Sequence, residues 1–566
     1  MNRLLARLPE GLQAEVDETL ARAGREQWAE RLWARDASLW TGQDEAEWLK
    51  WLDAGEGGCI DLVALKAFQA EVRAADFAHI LLLGMGGSSL GPEVLAQTFG
   101  AQPGFPQLLV LDSTDADQIR RFEALIDPKS TLFVVSSKSG STLEPDILQR
   151  YFYKVARQAL GEAAASRFVA VTDPGSKLEQ LAKAEGFRRI FHGEPEIGGR
   201  YSILSNFGAV PAAAMGLDLD AFFASTREMV EACKGADANP GVELGCILGT
   251  AAKGGQDKVS ILASRGLADL GAWLEQLIAE STGKQGKALI PVDAEPVGAI
   301  EAYSHDRVFA YLRLEDHDEP ALDALADGLA EAGHPLVWID LPSRGDLGQE
   351  FFRWEVATAI AGAVMKLNPF DQPDVEASKL KTRFLTDQYE QAGFLAAETP
   401  VATDGIMALY ADPANAQALA GGDGSVQAML EAHFRRVAAG DYVGVLAYID
   451  RSHPHIAALQ RVRKRIRDRK KVATVLGFGP RFLHSTGQAY KGGPNSGVFI
   501  QITSDPADDI PVPGRKYGFE VVEAAQARGD MGVLVERGRR VIRLHLGQDV
   551  DSGLKWLADA VDRALG

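Results

Sequence analysis

The chain has 566 residues, a hydrophobic fraction of 46%, a charged fraction of 24% and a net charge of −19. That is enough chain for two to four domains, and the acidic balance argues against nucleic acid or an anionic membrane as a partner. Its three cysteines, Cys59, Cys233 and Cys246, have no metal-ligand spacing, so neither a disulfide framework nor a metal site is expected. The opening Met1–Glu10 lacks a signal-peptide core, and no stretch reaches the roughly 18 apolar residues that span a bilayer, so a cytoplasmic protein is expected.

Residues 11–53 carry Ala, Glu, Arg, Leu and Trp at helical spacing and read as an amphipathic lead-in. Strands then alternate with helices. The first set of strands is His79–Leu83, Gln107–Leu111, Leu132–Val135, Phe168–Val171 and Arg189–Phe191. A helical span near 205–236 ends in the loop 235–240. A second alternating set follows, with strands at Val259–Leu262, Arg307–Leu312 and Leu336–Ile339. After about residue 400 come strands near Tyr442–Tyr448, Val472–Leu476, Val498–Ile502 and Val541–Leu544. Such alternation implies mostly parallel sheets covered on both faces.

Two loops carry the first chemical signal. The apolar run Ile80–Leu83 leads into Gly84-Met85-Gly86-Gly87-Ser88-Ser89-Leu90-Gly91-Pro92, and Leu132–Val135 leads into Ser136-Ser137-Lys138-Ser139-Gly140-Ser141-Thr142. Glycines let the backbone approach an anion, and the N–H groups of the next helix start face it. Ser88, Ser137, Ser139 and Thr142, with Lys138 beside them, are candidate phosphate ligands; the same hydroxyls also suit helix capping. A dinucleotide turn is the rival for the first loop. It has Ser89 where a third glycine is required, and Asp112 closes the next strand.

The run from Arg461 to Lys471 holds eight basic residues in eleven. It reads as a solvated helix face before a strand, or as a surface that attracts an anionic substrate or an acidic subunit.

These motifs, taken together, resemble the glucose-6-phosphate isomerase family and its sugar-isomerase (SIS) fold. Gly198-Gly199-Arg200-Tyr201-Ser202 resembles that family's Gly-Gly-Arg-x-Ser. Gln276 to Lys284 resembles its Glu-Ser-x-Gly-Lys with a glutamine one turn earlier, and Asp371 to Lys379 resembles its Asp-Gln-x-x-Val-Glu-x-x-Lys. The resemblance implies two SIS-type three-layer αβα sandwiches with mainly parallel sheets, an N-terminal helical lead-in and a C-terminal α/β extension. The corresponding stretches are 1–58 for the lead-in, 59–235 and 236–400 for the two sandwiches, and 401–566 for the extension. Whether that last stretch completes the second sandwich or flanks it stays open.

It also implies interconversion of glucose 6-phosphate and fructose 6-phosphate through a cis-enediol, without metal or organic cofactor, in a homodimer that binds hexose phosphate. Glu280 would move the proton between C1 and C2, Arg200 would stabilise the enediolate, and Gln276 and Gln372 would contact the sugar. Lys379 would help open the ring. An enzyme that also accepts mannose 6-phosphate, and a non-catalytic phosphosugar-binding protein, are the alternatives.

A ring-opening histidine is expected between the glutamate and the final lysine, where only His305, His317 and His334 stand. His305 lacks a flanking glutamine, and His317 sits among acids. Leu483-His484-Ser485-Thr486-Gly487-Gln488 is the better match, resembling the His-Ser-x-Gly-Gln of short bacterial members. His484 is therefore preferred over His305. This displaced order resembles the isomerase half of fused transaldolase–glucose-6-phosphate isomerases, and the later segment is expected to supply the histidine within the same chain.

Overall fold

The computed structural model describes residues 1–236, 238–405 and 407–566; Asp237, in the loop expected at 235–240, lies outside the described residues. The chain forms two compact units. The first comprises Met1–Asp112, Glu123–Thr282 and Val308–Asp371, and the second Ser113–Phe122, Gly283–Arg307 and Gln372–Gly566.

In the first unit, five parallel strands form one sheet in the order Gln107–Leu111, His79–Gly84, Thr131–Ser136, Phe168–Thr172, Arg189–His192. Ile80 to Leu83 and Leu132 to Val135 are buried, as strands covered on both faces must be. The chain adds a strand to one side of His79–Gly84 and then crosses to its other side. The order therefore reverses between His79–Gly84 and Thr131–Ser136. Ligands of open α/β sheets bind outside the carboxyl ends of strands at such a switch point.

The second sheet of this unit contains Lys258–Ala263, Arg307–Leu314 and Leu336–Leu341, and its edge is a strand at Arg3–Arg7. That strand corrects the expectation of a helical start: helices begin only at Glu10. Arg3–Arg7 alternates exposed and half-buried residues, a period of two that five residues show too briefly to be read. It runs antiparallel to Leu336–Leu341, and Arg3 pairs with Asp340 at 2.6 Å.

The helical span expected at 205–236 divides into Asn206–Ala214 and Leu219–Lys234. The break has a local cause. Gly216 takes φ +89°, and a Cβ there would lie 2.3 Å from the Phe105 ring. Asp218 then caps the second helix by accepting from the Ala221 amide.

The second unit has its own sheet, in the order Ala402–Asp404, Met407–Tyr410, Arg540–His545, Gly497–Thr503, Tyr442–Tyr448, Ala473–Phe478. The last four strands are parallel and the first two form an antiparallel edge. The segment after residue 400 thus builds a sheet of its own. Its core gathers Val443, Val445, Ile500, Ile542 and Leu544 with Leu459 and Ile466 of the helix His453–Lys470.

That helix carries the basic run: Arg461, Lys464 and Arg469 are exposed as the solvated-face reading expects, and two arginines correct it. Arg463 and Arg467 are 1% and 0% exposed. Arg463 donates to the carbonyls of Thr474 and Asp293, and Arg467 to that of Pro296. Both arginines act on Glu295, whose side chain is 6% exposed and which Arg307 pairs at 2.6 Å. Burial raises the carboxyl pKa and the neighbouring guanidiniums outweigh it, so Glu295 sits below its ordinary range.

Candidate active site

Both hydroxyl-rich loops leave the carboxyl ends of the two strands that flank the switch point, where Gly84 registers with Ser136. In the first loop Gly86 takes φ +55°, and Gly86–Ser88 turns into the helix Leu90–Phe99. Ser88 is buried here. Ser89 Oγ bonds Asp112 Oδ2 at 3.2 Å, so the acid that made a dinucleotide turn thinkable is occupied within the loop.

In the second loop Ser137 Oγ is buried and makes no hydrogen bond to the protein. Ser139 is exposed, 3.1 Å from Ser141 Oγ. Thr142 is the N-cap of Leu143–Leu160 and does not use its hydroxyl for capping. The first N–H groups of that helix and these hydroxyls make a set of donors suited to a phosphate. Lys138 is placed differently from its neighbours. Its ammonium pairs with Asp173 at 2.5 Å and donates to the carbonyls of Glu194 and Pro195, which anchors the loop to the next strand end.

Close backbone packing joins the first loop to the Gly-Gly-Arg segment. A Cβ on Gly87 would stand 1.8 Å from the Gly199 carbonyl oxygen, whereas a Cβ on Gly198 or Gly199 would meet nothing within 4 Å. The demand for glycine therefore falls on Gly87.

Arg200 follows in a single turn and is buried. Its Nε donates to Ser281 Oγ at 2.8 Å, and Nη2 donates to the carbonyls of Pro369 at 2.6 Å and Asp371 at 3.0 Å. Nη1 then lies 3.7 Å from Glu280 Oε2. Glu280 projects from the helix Leu270–Thr282, and Gln276, one turn earlier, donates to the same oxygen at 3.1 Å. Arg200, Gln276 and Glu280 are brought together as a buried polar cluster next to the first glycine–serine loop. A carboxylate whose orientation is set by a fixed guanidinium and an amide can take a proton from carbon, and the guanidinium can hold the charge that results.

Ser281 and the two carbonyls were not anticipated. Ser281 is legible after the fact as the second residue of the Glu-Ser-x-Gly-Lys motif, but main-chain oxygens leave no trace in a sequence.

The remaining candidates belong to the second unit. Gln372 occupies the N-cap of the helix Pro373–Ala392, and Lys379 lies on that helix with Glu376 Oε2 at 3.7 Å. His484 ends the turn Arg481–His484, which packs against this same helix. His305 is exposed, and the turn Ile300–Ala302 just before it packs on His453–Lys470. Among the described residues no group of three or more His, Cys, Asp or Glu side chains is disposed to hold a metal ion, and no helix is long and apolar enough to cross a membrane.

Comparison with known proteins gives a consistent result. The family model described as phosphoglucose isomerase matches residues 65–295, a span that holds both loops, Arg200, Gln276 and Glu280. The chain is 32% identical over 360 residues to a glucose-6-phosphate isomerase of Rubrobacter xylanophilus, covering 54% of this chain and 81% of that protein. It is 26% identical over 370 residues to a probable glucose-6-phosphate isomerase of Methanococcus maripaludis, covering 57% and 83%. Among solved structures, a hypothetical protein from Thermus thermophilus aligns with a TM-score of 0.59 and 27% identity over 67% of this chain and 99% of that one. A glucose-6-phosphate isomerase from Chlamydia trachomatis aligns with a TM-score of 0.52 and 22% identity, over 64% and 78%.

Proposed function

The chain belongs to the phosphoglucose isomerase family, and from that membership and the geometry of its polar cluster we infer that it interconverts glucose 6-phosphate and fructose 6-phosphate. The observation that carries this reading is the Arg200–Glu280–Gln276 cluster, set beside a phosphate loop by the Gly87–Gly199 contact. The phosphate is assigned to Ser88, Ser137, Ser139 and Thr142, with Lys138 holding the second loop in shape.

In the open aldose, Glu280 takes the proton from C2 and returns it to C1, while the hydroxyl proton of O2 is exchanged for one on O1. The cis-enediolate between these steps carries its negative charge on O1 and O2, where Arg200 stabilises it. A guanidinium suits this role because it stays charged throughout. General base catalysis of this kind contributes about 10²–10⁴ in rate. Gln276 and Gln372 are assigned to the sugar hydroxyls.

His484 and Lys379 are assigned to ring opening, where an imidazole can pass the ring-oxygen proton. The packing of the His484 turn against the Lys379 helix favours His484 over His305. A homodimer in the cytoplasm completes the reading. The test is turnover of glucose 6-phosphate to fructose 6-phosphate by the purified chain, with mannose 6-phosphate run in parallel. Isomerisation of the glucose ester is expected, and its absence from folded protein that binds the ester would contradict the reading.

A further inference from the structure

One polar side chain of the second unit that this mechanism does not use has every hydrogen-bonding position filled. Gln488 is wholly buried, four residues after His484, in the short helix Gly487–Gly492. Its Oε1 accepts from the amides of Asp374 at 2.9 Å and Val375 at 3.2 Å. Its Nε2 donates to the Gly283 carbonyl at 2.9 Å and to Asp374 Oδ2 at 3.0 Å. A primary amide offers two acceptor lone pairs and two N–H donors, and all four are engaged.

These partners have a clear meaning in the chain. Pro373 begins the Lys379 helix, so Asp374 and Val375 supply the amides at its second and third positions. Those are the orphan donors that an N-cap side chain ordinarily satisfies. The residue in the N-cap place, Gln372, makes no side-chain capping bond. Gln488 caps the helix from a different segment, more than a hundred residues along the chain. Asp374, held by Gln488, also pairs with Arg537.

A second residue is shaped around the same node. A Cβ on Gly492 would lie 2.5 Å from Asp374 Oδ2, 2.6 Å from the Gly283 carbonyl and 2.9 Å from Gln488 Nε2. Gly492 does not have a left-handed backbone, so its lack of a side chain serves the space around the amide. Its own carbonyl accepts from Gly286 N at 2.9 Å, which ties down the segment after Gly283.

We propose that Gln488 is a positioning residue for ring opening, an amide that fixes the N-terminus of the Lys379 helix to the loop that carries His484. The proposal rests on the assignment of Lys379 and His484 to that step. A helix capped from outside has its first turn set by the capping segment. Lys379 stands one turn beyond Val375, so its place relative to the His484 loop is inherited from the Gln488 bonds. Misplacing catalytic groups by about 1 Å can cost about a hundredfold in rate.

The experiment isolates ring opening from proton transfer. In a Glu280→Gln background isomerisation stops, while opening and reclosing of the ring still exchange the α and β anomers of glucose 6-phosphate. That exchange is read by NMR exchange spectroscopy, and affinity for the ester is measured alongside. Adding Gln488→Met, which keeps the volume and removes all four bonds, is expected to slow catalysed exchange about tenfold or more with affinity within about threefold. Gly492→Ala crowds the same node and is expected to act in the same direction; it carries the test if the methionine variant does not fold. Lys379→Ala and His484→Gln serve as references. If these two slow exchange and both node variants exchange within about twofold of the parent, the positioning role is overturned and the ring-opening assignment stands. If the references also exchange at the parental rate, that assignment falls and the positioning role falls with it.

Discussion

Arg200 and Glu280 face each other across 3.7 Å, and three hydrogen bonds of the arginine go elsewhere, to Ser281 and to two main-chain carbonyls. The guanidinium is therefore positioned by the scaffold and not by the carboxylate it faces. Glu280 is oriented in turn by Gln276 on the same helix. A guanidinium held this way keeps its place while the carboxylate takes up and returns a proton.

The backbone contact behind that pair gives a sharp prediction. Gly87→Ala places a methyl group 1.8 Å from the Gly199 carbonyl oxygen, so the loop before Arg200 must move. kcat/KM is expected to fall about a hundredfold. Steady-state kinetics check this, and activity within about threefold of wild type would show that the loop yields without consequence.

The two histidines separate in a similar assay. His484→Gln is expected to lower kcat about a hundredfold, while His305→Gln retains activity. Supply within the chain is tested by mixing His484→Ala with Glu280→Gln chains. Activity is expected to stay at the level of the separate variants, and recovery in the mixture would mean that one chain completes another.

A stability prediction follows from acids buried in the second unit. Asp115 is pushed up to about 7, chiefly by burial and further by Asp450 and Asp117. Glu523 stands well above its ordinary range for the same first reason, with Asp115 the leading neighbour. Both bind a proton in the folded state that the unfolded chain releases near pH 4. Their contribution is thus present below the unfolded value and is lost as pH rises through about 7. Asp115→Asn keeps an acceptor for the Gln118 amide and removes the titration. Its melting temperature relative to wild type is expected to climb between pH 4.5 and 7.5, and so is that of Glu523→Gln. Parallel curves would contradict the account.

The basic helix can be divided residue by residue. Arg467→Ala removes a guanidinium that acts on the buried Glu295, binds the Pro296 carbonyl and sits 5.1 Å from the Tyr303 ring centroid. It is expected to cost about 3 kcal/mol in denaturant unfolding. Arg469 is exposed on the same helix, and Arg469→Ala is expected to change stability by less than about 0.5 kcal/mol.

That contrast marks where sequence stops being readable. The glycine–serine loops and the helix bearing Glu280 could be read directly, because strand, turn and helix start lie within a few residues of each other. Arg463 and Arg467 could not, since the run looks uniformly solvated and Glu295 lies some 170 residues earlier in the chain. The strand Arg3–Arg7 is too short for its alternation to register, and its partner strand is more than 300 residues away. The ligands of Arg200 include carbonyls of Pro369 and Asp371, which any residue there would supply. Local patterns were legible; pairings set by tertiary packing were not.

The role proposed for Glu280 is to carry the proton between C2 and C1. The direct measurement is turnover of glucose 6-phosphate by Glu280→Gln, together with its affinity for the ester. An amide keeps the shape of the side chain and a place for the Gln276 and Arg200 contacts, yet it cannot accept the proton. A fall in kcat of at least about 10²–10⁴ with affinity preserved is expected. Turnover within about tenfold of wild type would contradict it.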